Sequence, residues 1–182
     1  RPRCAYTSPT MSVLDLIRQF QRAWRYRLGS NRGEVAFVRD RVHSGDVVVD
    51  LGAHKGAFLY WLRSRVGPGG QVIAFEPQPI LASALQRVIQ QRGWSNVAVH
   101  QVAVADATGT LTLGIPGDGS PSPGARLVAE GADTTGYGAT VEVDVVTLDA
   151  FFADRPRPIR FIKCDVEGVE MSVFRGAREL LT

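Results

Sequence analysis

Residues suited to handling a small charged ligand stand at four places along this sequence. The first is Asp50-Leu-Gly52-Ala53-His54-Lys55-Gly56, which follows the apolar run Val47–Leu51. Glycine at a strand end lets backbone approach a ligand closely, and a helix starting there offers unpaired N–H groups to an anion or a zwitterion's carboxylate. By itself the turn also fits plain tight packing. It is neither the Gly-x-Gly-x-x-Gly of a dinucleotide site nor the Gly-Lys-Ser/Thr ending of a P-loop. The second place is Glu76, 26 positions after Asp50 and followed by Pro77. In a doubly wound sheet both acids lie at the carboxyl edge, where an acid ending the second strand can accept two ribose hydroxyls.

The third is Asp106, in Ala103-Val-Ala-Asp106. It can accept a hydrogen bond from an adenine amino group, or simply begin the turn toward Gly109. The fourth, Lys163-Cys-Asp165-Val-Glu167-Gly168, ends the last apolar run, so its carboxylates should face the same cleft as Gly52 and Glu76. One can orient a cofactor amine while the other positions or deprotonates an acceptor hydroxyl. Glu167 as a mere cap of the following helix is the alternative. His54 is a candidate base and equally a residue that orients the loop backbone. No His or Cys spacing suggests zinc, so no metal is expected.

The elements that position these residues alternate. Strands are expected at Val47–Leu51, Gln71–Phe75, Val97–Val104 and Ile159–Cys164, and helices at Ala57–Val66, Pro79–Arg92 and Glu170–Leu181. Near-continuous Val and Ile runs indicate strands covered on both faces, a parallel sheet with flanking helices joined by right-handed crossovers. Residues 114–140 hold seven Gly, three Pro and a single aromatic, Tyr137. That composition suits a mobile surface loop, either a lid over an active site or an inert insertion. A sheet of four parallel strands ending on a helix would lack its usual neighbours, so further strands are expected beyond these.

Before this α/β part, residues 1–42 are expected to form a helical arm or cap. An amphipathic helix spans about 11–28, and a second helix spans Glu34 to Val42. The arm carries nine Lys or Arg against three acids, whereas residues 42–182 carry twelve against fifteen. An arginine-rich solvated helix face explains this without a nucleic-acid partner. With two cysteines, no apolar run near the ~20 residues needed to span a bilayer, and no secretory signal pattern, a cytoplasmic protein without disulfides or a transmembrane segment is expected.

Together, Val48-Val-Asp-Leu-Gly-Ala-His-Lys-Gly56, Ile73-Ala-Phe-Glu-Pro77, Ala103-Val-Ala-Asp106 with Gly109, Val146-Thr-Leu-Asp149 and Phe161-Ile-Lys-Cys-Asp-Val-Glu-Gly168 resemble the FkbM-type methyltransferase family, in order from about residue 43 to 181. The resemblance implies a Rossmann-like class I fold, S-adenosylmethionine as cofactor, and methylation of a hydroxyl on a sugar, glycan or other natural-product acceptor. It makes Asp50, Gly52, Ala53, His54 and Gly56 the methionine side of the cofactor site, Glu76 with Pro77 the ribose side, and Asp106 the adenine contact. Asp165 and Glu167 would line the methyl-transfer cleft. His54 stands where the family often has Asn, and Val169 where it often has His, so this chain has no base at the latter. The family's later strands, which complete the sheet and part of the acceptor pocket, have no counterpart here. On this reading Glu76→Ala abolishes cofactor binding and largely spares the fold. A non-catalytic cofactor-binding module of the same fold stays open, as does, less favoured, an NAD-dependent oxidoreductase.

Overall fold

Val47–Leu51 (β1) is buried at all five positions, and its side chains divide between two cores. Val48, with Val72 and Ala74 of the next strand, packs among Phe58, Leu59, Leu62 and Leu85. Val47, Val49 and Leu51, with Ile73 and Phe75, pack instead among Leu148, Phe152 and Val173. Successive strand side chains point to opposite faces, so an unbroken apolar run needs cover on both. The computed structural model describes Gln21 and residues 32–129, 131–154 and 157–182. The helix expected over 11–28 lies outside these, apart from Gln21.

The cover comes from helices in chain order. Helix α1 (Arg32–Arg41) and helix α2 (Ala57–Val66) contact each other, and Val35, Val38 and Val42 enter the first core. Strand β2 (Gln71–Phe75), helix α3 (Pro79–Gln91) and strand β3 (Val97–His100) follow. After an excursion the chain returns as β8 (Ile159–Cys164) and ends on α5 (Glu170–Arg175). The sheet order is β3-β2-β1-β8, with every neighbouring pair parallel. Strand order reverses beside β1, which has β2 on one side and β8 on the other. That is the topological switch point at which open α/β sheets bind ligands.

The excursion is a second sheet. Strand β4 (Ala103–Val104) pairs parallel with β7 (Ala139–Val146), and β5 (Gly109–Ile115) lies antiparallel between β7 and β6 (Arg126–Val128). The single strand expected over Val97–Val104 is therefore two, belonging to different sheets. Phe75 at the end of β2 pairs with His100, so beyond that point the chain leaves the first ladder and joins β7.

Nor is 114–140 one loop: its ends complete β5 and begin β7, and β6 lies within it. Its glycines serve close packing. A Cβ on Gly114 would come 2.6 Å from the Tyr137 ring, and one on Gly138 would overlap the Gly117 carbonyl oxygen. Leu148–Phe152 forms a short helix, α4, capped by the Thr147 side chain, which accepts from Ala150 N–H at 3.0 Å. The helix expected to run to Leu181 stops at Arg175 and gives way to turns. Gly176 sits against the Ala105 carbonyl, where a Cβ would overlap it, and its own carbonyl accepts from Asp149 N–H at 2.9 Å. No helix among the described residues is long and apolar enough to cross a membrane.

Candidate active site

The turn after β1 folds back onto the end of β2. Gly52 and Ala53 both donate to the Phe75 carbonyl, at 3.0 and 3.1 Å, and His54 N–H donates to Glu76 Oε2 at 2.7 Å. Gly52 has φ +74°, and a Cβ there would overlap the Asp165 carbonyl at the end of β8, so only glycine fits between the two strand tips. Gly56, at φ +75°, donates to Ala53 and opens α2.

Glu76 is 2% exposed. Besides His54 it accepts from Gln78 N–H, at 2.9 Å on Oε1, so each carboxylate oxygen takes one backbone donor. Burial pushes its pKa up, against the pull of the Gln78 and His54 N–H groups. Two backbone donors rest on this carboxylate, so it holds the turn as well as facing the cleft. The strand-end acid is structural as well as available. His54 contributes its backbone N–H, the orienting role, and holds φ +48° to do so.

Asp50 does not reach the ligand space. It is fully buried on the α2 face of the sheet, in register with Lys163 of β8, whose Nζ stands 3.4 Å from Oδ1. The same ammonium lies 3.3 Å from Asp165 Oδ2 and 4.9 Å from the centre of the Phe58 ring. Burial raises the Asp50 pKa more than one cation can lower it. At Lys163 burial works to lower the pKa, but Asp50 and Asp165 together raise it. Two carboxylates thus hold one ammonium charged. Lys163 lay inside the last motif without an assigned role, and the signal that identifies it is a cation within an apolar strand, two residues before Asp165.

An open cleft of about 970 Å³ collects these groups. Gly52, Ala53, His54, Glu76, Pro77, Asp165 and Glu167 line it, as do Lys55, Lys163 and Val169. Its apolar lining includes Phe58 of α2, Phe75 of β2, Val102 between the two sheets, and Leu113 and Leu127 of the second sheet. Asp50 and Gly56 stand behind the lining. Asp106 lies outside it: its N–H donates to Ser172 Oγ at 3.1 Å and its carboxylate is 3.9 Å from Arg175. The Thr-Leu-Asp149 motif is structural, with the Asp149 carboxylate accepting from Glu179 and Leu180 N–H at 3.2 and 2.9 Å. Glu167 has φ +49° and is exposed; it is Glu170 that accepts from Gly168 N–H, at 3.2 Å.

A parallel sheet with a glycine turn and a buried acid at successive strand ends, open at the switch point, defines a Rossmann-like nucleotide-cofactor domain. The sequence profile of the methyltransferase FkbM domain matches residues 50–182, and the chain belongs to that family. It is 29% identical over 150 residues to Methyltransferase 1 of Beauveria bassiana, covering 71% of this chain and 57% of that protein. It is 31% identical over 163 residues to the 31-O-demethyl-FK506 methyltransferase FkbM of Streptomyces tacrolimicus, covering 74% of this chain and 60% of that protein. The chain therefore spans less than two thirds of these relatives' lengths. The crystal structure of Methyltransferase FkbM from Methylobacillus flagellatus KT superposes over 94% of this chain and 42% of that one, with a TM-score of 0.52 and 18% identity. That agreement establishes the shared fold.

Proposed function

We propose that this domain binds S-adenosylmethionine in the cleft over β1 and β2 and, in the cytoplasm, transfers its methyl group to a hydroxyl of a sugar or other natural-product acceptor. The observation that carries the reading is the Glu76 carboxylate. It is buried at the cleft and fixed by a backbone N–H group on each oxygen, and an acid so held at the end of the second strand suits the two adjacent hydroxyls of a ribose. Gly52, Ala53 and His54 present backbone beside it for the amino-acid end. Asp106 lies outside the lining, and the residues of that segment that do line the cleft, Val102, Ala103 and Val104, offer adenine an apolar surface.

When bound, S-adenosylmethionine supplies an electrophilic methyl group on a sulfonium, so in-line placement of the acceptor oxygen provides much of the acceleration. Asp165 and Glu167, at the β8 tip, orient the acceptor hydroxyl and take up its proton. Lys163 holds Asp165 in place. Val169 lines the cleft and contributes no base. The hydroxyl acceptor is supported by the Streptomyces relative, whose name is that of a methyltransferase for an O-demethylated compound.

A thermal-shift comparison tests the cofactor directly. S-adenosylmethionine and S-adenosylhomocysteine should each raise the melting temperature, by an amount that grows with the logarithm of ligand concentration above Kd, and NAD should not. Stabilisation by NAD alone would overturn the reading.

A further inference from the structure

Gln78 is 5% exposed, and its side-chain amide both donates to and accepts from a single residue 44 positions away. Its Nε2 donates to the Ser122 carbonyl at 3.0 Å, and its Oε1 accepts from Ser122 N–H at 3.0 Å. The amide thus imitates one rung of a β ladder, joining the end of β2 to the Pro121-Ser-Pro123 stretch, which belongs to no strand. Ser122 in turn organises the next residues: its Oγ accepts from Gly124 N–H at 3.2 Å and its carbonyl from Ala125 N–H at 3.3 Å. Pro123, Ala125, Arg126 and Leu127 then form the cleft wall supplied by the second sheet. Gln78 N–H meanwhile donates to Glu76 Oε1. One residue therefore touches both the acid of the floor and the root of the wall.

We propose that Gln78 is a positioning and specificity-determining residue: through Ser122 it fixes the 122–127 wall against the strand end carrying Glu76, and so sets the fit of the cleft to the nucleoside end of its cofactor. The ligand named here rests on the cofactor reading above; the clamp itself does not. A buried amide that loses both partners would not be tolerated without movement, so the clamp holds the wall in one place.

The test uses Gln78→Met, which keeps the volume, removes both bonds to Ser122 and leaves the backbone N–H on Glu76. Amide hydrogen exchange of residues 122–127 in the ligand-free protein should accelerate about tenfold or more. The affinity for S-adenosylhomocysteine, measured by calorimetry, should fall about tenfold or more. Gln78→Asn keeps the amide but is one methylene short, and it should show the same changes should the Met variant fail to fold. Unchanged exchange in the variant overturns the clamp. Faster exchange with unchanged affinity overturns the wall's part in holding the nucleoside. Absence of binding by the wild-type protein overturns the cofactor reading and the ligand assigned here, and exchange alone then decides the clamp.

Discussion

The floor of the cleft, at the ends of β1, β2 and β8, and its wall, on β5 and β6, are built differently. On the floor, every side chain of β1 is buried, and the polar groups are held from several directions at once. Asp50 meets Lys163, Lys163 meets Asp165, and Glu76 takes two backbone N–H groups. The wall is a hairpin whose first positions, Gly109 and Thr110, are exposed, and its fit depends on Gly114 packed against the Tyr137 ring and on the Gln78 clamp. A floor determined by many simultaneous contacts suits an invariant cofactor. A wall attached through a few contacts can be altered without unfolding the sheet beneath, which suits tuning the fit at the nucleoside end.

Breaking the floor should produce the largest effect. Lys163→Met leaves a buried carboxylate without its cation and should cost about 3–5 kcal/mol in urea unfolding at neutral pH. The loss should shrink in acid. Asp50 has a folded-state pKa above its ordinary 3.8, so its ionisation disfavours the folded state as pH rises past that value. Without Lys163, whose charge lowers that pKa, the penalty grows. The variant should lose more stability than wild type as pH rises above 3.8, and parallel pH profiles would contradict the pairing. Glu76→Ala should come next, at about 2–3 kcal/mol, because two backbone donors lose their acceptor near the β2 end. Unfolding at wild-type denaturant concentration would show that the carboxylate does not hold the turn.

The wall should respond locally. Gly114→Ala drives a methyl group toward the Tyr137 ring and should cost only about 1 kcal/mol overall, with faster exchange confined to residues 109–146. Exchange spreading into β1 and β2 would erase the distinction between the two regions. Asp165 is 64% exposed at its side chain, so Asp165→Asn should hardly move stability or cofactor affinity while slowing methyl transfer at least about tenfold. Wild-type turnover would remove it from the reaction.

The floor was legible in the sequence because its signals are local. An apolar strand, a glycine turn and an acid at the end of the next strand can each be read within a few residues, and the alternation fixes the parallel order. What could not be read depends on pairings between distant segments. The register that sets Lys163 opposite Asp50 arises only when β8 returns to lie beside β1, and this places Asp50 behind the cleft rather than in it. Asp106 looked like an adenine contact by its position after a strand, yet that strand belongs to the second sheet and leaves it outside the cleft lining, beside Ser172 and Arg175. Strand β6 was hidden by a glycine and proline composition that reads as loop. Gln78 gave no signal at all, because its partner is a backbone 44 residues away.

The account rests most heavily on Glu76 as the ribose-binding acid, and calorimetric titration of S-adenosylmethionine into wild type and Glu76→Gln, with folding matched by circular dichroism, tests it directly. Losing the charged acceptor for two hydroxyls should weaken binding about a hundredfold. Equal affinity in the two proteins would contradict the assignment.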